Sequence, residues 1–155
     1  GCGSGNYCPD ASVTRAQMAV FLLRSKYNAS YTPPAATGIF ADVASDYWAR
    51  DWVEQLYAEG ITTGCNTGLY CPEQSVTRAQ MAAFLLRAKH GAAYNPPNPV
   101  GVFADVPTTH WAAKWIEQLY AEGITTGCST GMYCPEQAVT RAQMAAFLVR
   151  TFGLP

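Results

Sequence analysis

One pattern of apolar positions recurs three times along the chain and predicts a helix each time. In the second copy the apolar residues share one face at helical spacing, at Ala79, Ala82, Ala83 and Leu86. Thr77 precedes this run, and Gln80 has the spacing that completes a capping box at a helix start. We therefore expect helices over residues 14–27, 77–89 and 140–152.

A second amphipathic pattern occurs twice and predicts two further helices, over residues 47–59 and 110–122. The apolar face of the first contains Trp48, Trp52, Val53, Leu56 and Tyr57. Thr109 is the expected cap of the second. Gly60 and Gly123 follow the two helices, where a left-handed end residue is favoured. Because strand signals are nearly lacking, the chain is predicted to be all-α.

The two patterns alternate in a repeat of 63 residues. The repeat predicts a partial unit over 1–38 and complete units over 39–101 and 102–155. The partial unit has only the second half of the repeat. The first two units end in Pro-rich linkers. One helix then lacks a partner, and we expect an uncovered apolar face on helix 14–27. Upstream residues, another subunit or a looser lobe are the alternatives for covering it.

Composition narrows the class of protein. The chain has 155 residues and is 49% hydrophobic, which argues against disorder. Its net charge is −1 and it has no basic patch, so nucleic acid is not an expected partner. No apolar run approaches the length of a membrane span. Because the chain begins within a repeat and without Met, we expect a processed product, a fragment or the ordered part of something longer.

Six cysteines fall in three pairs that bracket the same loop in each unit. The repeat favours local disulfides, joining Cys2 to Cys8, Cys65 to Cys71 and Cys128 to Cys134. Such bonds indicate an oxidising, extracellular compartment. A zinc site is the alternative, but the chain has two histidines and no C-x-x-C motif. We expect no metal and no cofactor.

The order of these motifs resembles the S-layer homology repeat. The motifs are Phe-Ala-Asp-Val, Trp-Ala, Gly-Ile-Thr-Thr-Gly and Val-Thr-Arg-Ala-Gln-Met-Ala. The resemblance implies a pseudo-threefold helical body on the bacterial cell surface. Its grooves would bind secondary cell-wall polymers, often sugars that carry a pyruvate ketal. The chain departs from the family by having Gln in place of the Glu of Thr-Arg-Ala-Glu, and by its cysteine-bracketed loops.

The resemblance assigns an acidic sugar to the arginines at the helix starts, where free N–H groups already favour anions. The full set of glycan-binding candidates is Arg15, Arg78, Arg141, Gln17, Gln80, Gln143, Trp48, Trp111, Asp42 and Asp105. The alternatives are arginines paired with a structural carboxylate, tryptophans in the core, and aspartates bonded to local backbone. The repeated tyrosines before the second cysteines, Tyr7, Tyr70 and Tyr133, are expected to cover the disulfides.

The predicted function is non-covalent anchoring of an extracellular or S-layer protein through cell-wall polysaccharide. The alternative is a structural subunit that assembles with copies of itself into a filament or lattice, a neighbour supplying the missing half-repeat. An enzyme is not expected. A glycosidase needs two carboxylates across a cleft, whereas Glu54, Glu59, Glu117 and Glu122 are predicted on exposed faces or near helix ends.

Overall fold

The computed structural model describes all 155 residues and contains five helices. They are α1 (Arg15–Lys26), α2 (Arg50–Ala58), α3 (Arg78–His90), α4 (Ala113–Ala121) and α5 (Arg141–Phe152). The only β-structure consists of isolated bridges. The all-α prediction is therefore confirmed, and each predicted helix lies within a few residues of an observed one.

The starts of α1, α3 and α5 are fixed by the predicted capping boxes. At α1, the Thr14 hydroxyl accepts from the Gln17 backbone N–H at 3.2 Å, and the Gln17 side chain accepts from the Thr14 N–H at 3.3 Å. The same pair of bonds is present at α3 and α5. At α4, the predicted cap Thr109 is wrong, because the helix begins after Ala112 with no side-chain cap.

A closed ring of three hydrogen bonds joins the segments that precede α1, α3 and α5. Val13 donates to Val139, Val139 donates to Val76, and Val76 donates to Val13, each N···O distance being 2.9 Å. All three valines are fully buried, and the three helices that follow them contact one another. A ring of this kind is expected where three equivalent segments meet. The pseudo-threefold arrangement of the whole chain stays a prediction.

Each remaining helix packs on the helix that precedes it in the chain. The pairs are α1 with α2 and α3 with α4, so they cross the predicted unit boundaries, which remain predictions. An ion pair joins the two helices of each pair at one end. Lys26 binds Glu59 at 2.6 Å, and Lys89 binds Glu122 at 2.8 Å. The predicted uncovered helix 14–27 is thus wrong, because the chain folds back after α1 and α2 covers it. Of the three capped helices, α5 is the one on which no helix of the α2 or α4 kind packs.

Glu54 holds the linker between α1 and α2. Its carboxylate is buried and accepts backbone N–H groups of Thr37, Gly38 and Ile39 at 2.6, 2.7 and 3.0 Å. Burial raises the pKa of Glu54, but these hydrogen bonds outweigh it and leave the pKa below its ordinary value. Its predicted exposure is therefore wrong, since the linker wraps over it. Glu117 accepts from the second linker in the same way.

The three predicted disulfides are present, and no cysteine is free. Each closes a loop that lies before a capping segment. The second cysteine of each pair has a left-handed backbone, with φ of 55° at Cys8 and 58° at Cys71 and Cys134. Tyr70 and Tyr133, the residues before two of these cysteines, are fully buried. These buried tyrosines attach their disulfide loops to the core, next to the residues of the candidate site.

Candidate functional site

The arginines that begin α1, α3 and α5 each lie against a tyrosine that is distant in the sequence. The Arg15 Nε donates to the Tyr70 carbonyl at 2.7 Å, and the Tyr70 hydroxyl donates to the Arg15 carbonyl at 2.8 Å. The guanidinium lies 4.7 Å from the centre of the Tyr70 ring. The same contacts join Arg78 to Tyr133, and Arg141 to Tyr7. These tyrosines therefore pack on arginines. The sequence pattern predicted only that they cover the disulfides.

Two of these arginines have a donor that is not used by the protein. Arg15 is 2% exposed and Arg78 is 3% exposed, yet the Nη2 atom of each has no hydrogen-bond partner. Burial lowers the pKa of Arg15, while Tyr70 and Asp42 act in the opposite direction. The guanidinium stays charged because its ordinary pKa is so high. A buried cationic donor without a partner is costly unless a ligand accepts from it.

Arg15 lines a cleft of about 360 Å³. Its walls come from three parts of the chain: the start of α1, the Thr62–Cys65 loop with α3, and Trp111 before α4. Polar groups line it at Thr62, Thr63, Gln74, Gln80 and Arg87. With two guanidiniums and no carboxylate among its lining residues, the cleft favours an anionic ligand.

An equivalent cleft of about 250 Å³ surrounds Arg78. Its polar lining repeats the first, at Thr125, Thr126, Gln137, Gln143 and Arg150. No tryptophan contributes to it. Arg141 lines neither cleft. The three arginines, equivalent in sequence, therefore lie in three different surroundings.

The two tryptophans among the candidates are exposed. Trp48 is 59% exposed and Trp111 is 57% exposed, so the alternative that placed them in the core is wrong. Both precede the first residue of a helix, and the turn there directs them outward. Trp52 and Trp115, one turn later, pack below Arg24 and Arg87 at 5.0 Å, as the packing prediction required.

The structure brings Arg15, Gln80 and Trp111 together in one cleft, and Arg78 and Gln143 in the other. The remaining candidates, Gln17, Trp48, Asp42, Asp105 and Arg141, lie outside the lining of both clefts. Their ligand roles stay predictions.

The two candidate aspartates bond backbone groups. Asp42 accepts from the backbone N–H of Tyr70 at 2.8 Å and of Cys71 at 2.6 Å, and Asp105 binds Tyr133 and Cys134 alike. Asp42 also lies close to the sulfurs of Cys65 and Cys71. Because these sulfurs form a disulfide rather than thiolates, the cluster does not fit a metal ion.

Sequence reasoning missed the threonines and the second arginine of each cleft. Thr62 and Thr63 belong to the repeated Gly-Ile-Thr-Thr-Gly motif, and Arg87 recurs at the repeat interval, as Arg24 and Arg150. Arg87 contacts the Ile61 carbonyl through Nη1 at 3.4 Å, next to those threonines. A polar motif that recurs at the end of a helix was the available signal.

Comparison with known proteins identifies the family. The family model described as the S-layer homology domain matches residues 39–82 and 102–145, which is more than half of the chain. A cell surface protein of Thermoanaerobacter kivui is 36% identical over 121 residues, covering 77% of this chain and 16% of that protein. An endoglucanase of Bacillus sp. (strain KSM-635) is 35% identical over 113 residues, covering 73% of this chain and 12% of the enzyme.

An S-layer protein of Bacillus licheniformis is 29% identical over 124 residues, covering 79% of this chain and 14% of that protein. The chain thus spans less than a fifth of these relatives. No helix has the length and apolar character needed to cross a bilayer. The relatives indicate a location at the bacterial cell surface, and together with the family match they support a cell-wall anchoring module. The chain belongs to the S-layer homology domain family.

Proposed function

We propose that the chain anchors a protein to the bacterial cell wall by binding an acidic secondary cell-wall polysaccharide in the Arg15 cleft. The observation that carries the proposal is that Arg15, whose buried Nη2 donor has no protein partner, lines one cleft together with a second guanidinium, that of Arg87. A carboxylate on the polymer would satisfy it with a charge-assisted hydrogen bond.

The other contacts of Arg15 fix the guanidinium before a ligand arrives. Nε donates to the Tyr70 carbonyl, and the guanidinium carbon lies 4.7 Å from the centre of the Tyr70 ring and 5.6 Å from that of Phe84. Since the side chain is already ordered, binding costs little of its conformational entropy. A purely structural arginine would need Nε and the ring contacts, but would gain nothing from an unpaired Nη2.

Neutral groups around Arg15 suit the remainder of a sugar. The exposed indole of Trp111 offers an apolar face on which a pyranose ring can stack. Thr62 and Thr63 offer hydroxyls that both donate and accept. The Arg78 cleft has the same polar set without the indole, so we expect it to bind the same polymer more weakly.

Co-sedimentation with cell-wall sacculi tests the proposal, using the oxidised protein and sacculi before and after removal of the acidic polymer. We expect the protein to sediment with intact sacculi and to remain in solution with stripped ones. Equal binding to both preparations, or binding to neither, contradicts a polymer-specific anchor. Homo-oligomerisation and assembly into a filament or lattice stay predictions.

A further inference from the structure

The turn before α4 contains a histidine whose two ring nitrogens have different partners. The Ala112 backbone N–H donates to Nδ1 of His110 at 3.1 Å, and Nε2 lies 3.3 Å from a carboxylate oxygen of Glu136. Because a backbone N–H can only donate, Nδ1 has no proton, and the single proton of the neutral ring is on Nε2, facing Glu136. The structure therefore defines one tautomer of His110.

A protonated His110 does not fit this arrangement. Ala112 is fully buried, and Nδ1 is the one acceptor of its N–H group. A proton on Nδ1 would place two donors against each other and leave a buried N–H unpaired, which is costly. The gain from an ion pair with Glu136 is small, because that side chain is 72% exposed. The imidazolium should therefore turn away from Ala112.

The His110 ring supports Trp111. The two rings stack, with their centroids 5.9 Å apart and their planes at 30°. Trp111 is 57% exposed and lines the Arg15 cleft, so the contact with His110 helps to fix an indole that is otherwise largely in solvent. An indole that is ordered before a ligand arrives loses less conformational entropy on binding.

The equivalent turn before α2 has a ring without a nitrogen. There Tyr47 lies beside Trp48, with ring centroids 5.8 Å apart, and its hydroxyl donates to Glu73. Since this turn forms without an imidazole, the bond from Ala112 orients the His110 ring rather than building the turn. Burial and the hydrogen bond to Glu73 raise the pKa of Tyr47 to about 12, so this ring keeps its proton at neutral and acidic pH.

We propose that His110 is a positioning residue that makes ligand binding in the Arg15 cleft depend on pH. The neutral ring holds Trp111 for stacking on a sugar, and the protonated ring leaves this contact. Imidazole ordinarily changes its charge between about pH 5 and 8, whereas the carboxylates of a polymer titrate at about pH 4. Affinity should thus fall on mild acidification. The inference rests on the proposed binding of an acidic glycan.

The charged groups around the turn decide which sign of the pH effect tests the proposal. Glu136 is the one carboxylate that pairs with the imidazole. Asp105 accepts from backbone N–H groups, and Lys114 donates to an asparagine. An added positive charge near the guanidiniums of Arg15 and Arg87 would by itself strengthen anion binding. A loss of affinity on acidification therefore indicates movement of the ring rather than the effect of its charge.

Titration with purified wall polymer at about pH 7.5 and about pH 5 compares the protein with His110→Tyr, which has the ring found before α2. We expect the affinity of the unmodified protein to be about three-fold or more lower at acidic pH, and that of His110→Tyr to change less. His110→Ala, which lacks a supporting ring, should bind weakly at both pH values. Equal pH dependence of the unmodified protein and His110→Tyr overturns the inference, as does a gain of affinity on acidification. Absence of binding at both pH values contradicts the proposed function.

Heteronuclear NMR of the histidine and indole nitrogens tests the ring without a ligand. At neutral pH the His110 signals should show a proton on Nε2 and none on Nδ1. The chain has two histidines, so His110→Tyr identifies these signals, and Trp111→Ala identifies the indole N–H of Trp111. Acidification should shift or broaden that indole signal. A proton on Nδ1 at neutral pH, or an indole signal that acidification leaves unchanged, overturns the inference whatever the polymer titration shows.

Discussion

Arg15 and Tyr70 exchange hydrogen bonds in both directions, although 55 residues separate them in the chain. The Arg15 side chain donates to the Tyr70 backbone at 2.7 Å, and the Tyr70 side chain donates to the Arg15 backbone at 2.8 Å. Both residues are buried. The start of α1 is thereby joined to the disulfide loop that precedes α3, and the cleft between them has a rigid wall.

Removing the Tyr70 hydroxyl should destabilise the fold. Tyr70→Phe leaves the Arg15 carbonyl without this donor in a buried place, so we expect a loss of about 1–3 kcal/mol in the free energy of unfolding. Urea denaturation measures it. Tyr57→Phe is the control, since that side chain is 41% exposed, and it should change stability by less than about 0.5 kcal/mol. Equal effects would contradict the role given to the hydroxyl.

The disulfides should stabilise the loops without being essential for the fold. The bond between Cys65 and Cys71 closes a short loop, with a sequence separation of 6. In the chain-entropy model, such a closure contributes about 2 kcal/mol. The double variant Cys65→Ser/Cys71→Ser should lose about that much and still fold, because Asp42 continues to hold the backbone of residues 70 and 71. A variant that is unfolded in water contradicts this expectation.

Glu54 should make stability depend on acid pH. Its pKa in the folded protein lies below the ordinary value of 4.5, so its contribution is complete above that value. The contribution is lost as pH falls through the lowered pKa. Glu54→Gln should cost about 1–3 kcal/mol at pH 7 and little at a pH below both values. Denaturation of both proteins across this range measures the difference.

Asp46→Asn is the matched control for Glu54, because the Asp46 carboxylate is exposed and forms no side-chain hydrogen bond or ion pair. Its stability profile should follow that of the unmodified protein at every pH. If Glu54→Gln also follows that profile, the linker is not held by this carboxylate.

The helices were predictable from sequence because their determinants are local. The capping box of Thr77 and Gln80 and the apolar face behind it lie within three turns of one helix. The pairing of helices was not predictable in this way. It depends on the path of the linker after α1, which returns α2 onto α1 and leaves α5 without a helix of the α2 or α4 kind.

The cleft was predictable only in part, for the same reason. The motifs identified Arg15, Gln80 and Trp111, but these residues come from three distant stretches of the chain that only the folded structure brings into one cleft. Asp42 recurs in the repeat like the cleft residues, yet its carboxylate accepts hydrogen bonds from the backbone of the disulfide loop. The exposure of Trp111 depends on the turn before α4, whereas its sequence position suits an apolar helix face equally well.

The central claim is that the Arg15 cleft binds an acidic cell-wall glycan, and the most direct measurement uses Trp111→Ala. Trp111 lines this cleft and is 57% exposed, so its removal should leave the fold intact. Titration with purified wall polymer should show a loss of about ten-fold or more in affinity, which corresponds to about 1.4 kcal/mol or more. Val100→Ala, a more exposed side chain outside both Arg clefts, should bind normally. Unchanged affinity of Trp111→Ala would contradict the assignment of the glycan to this cleft.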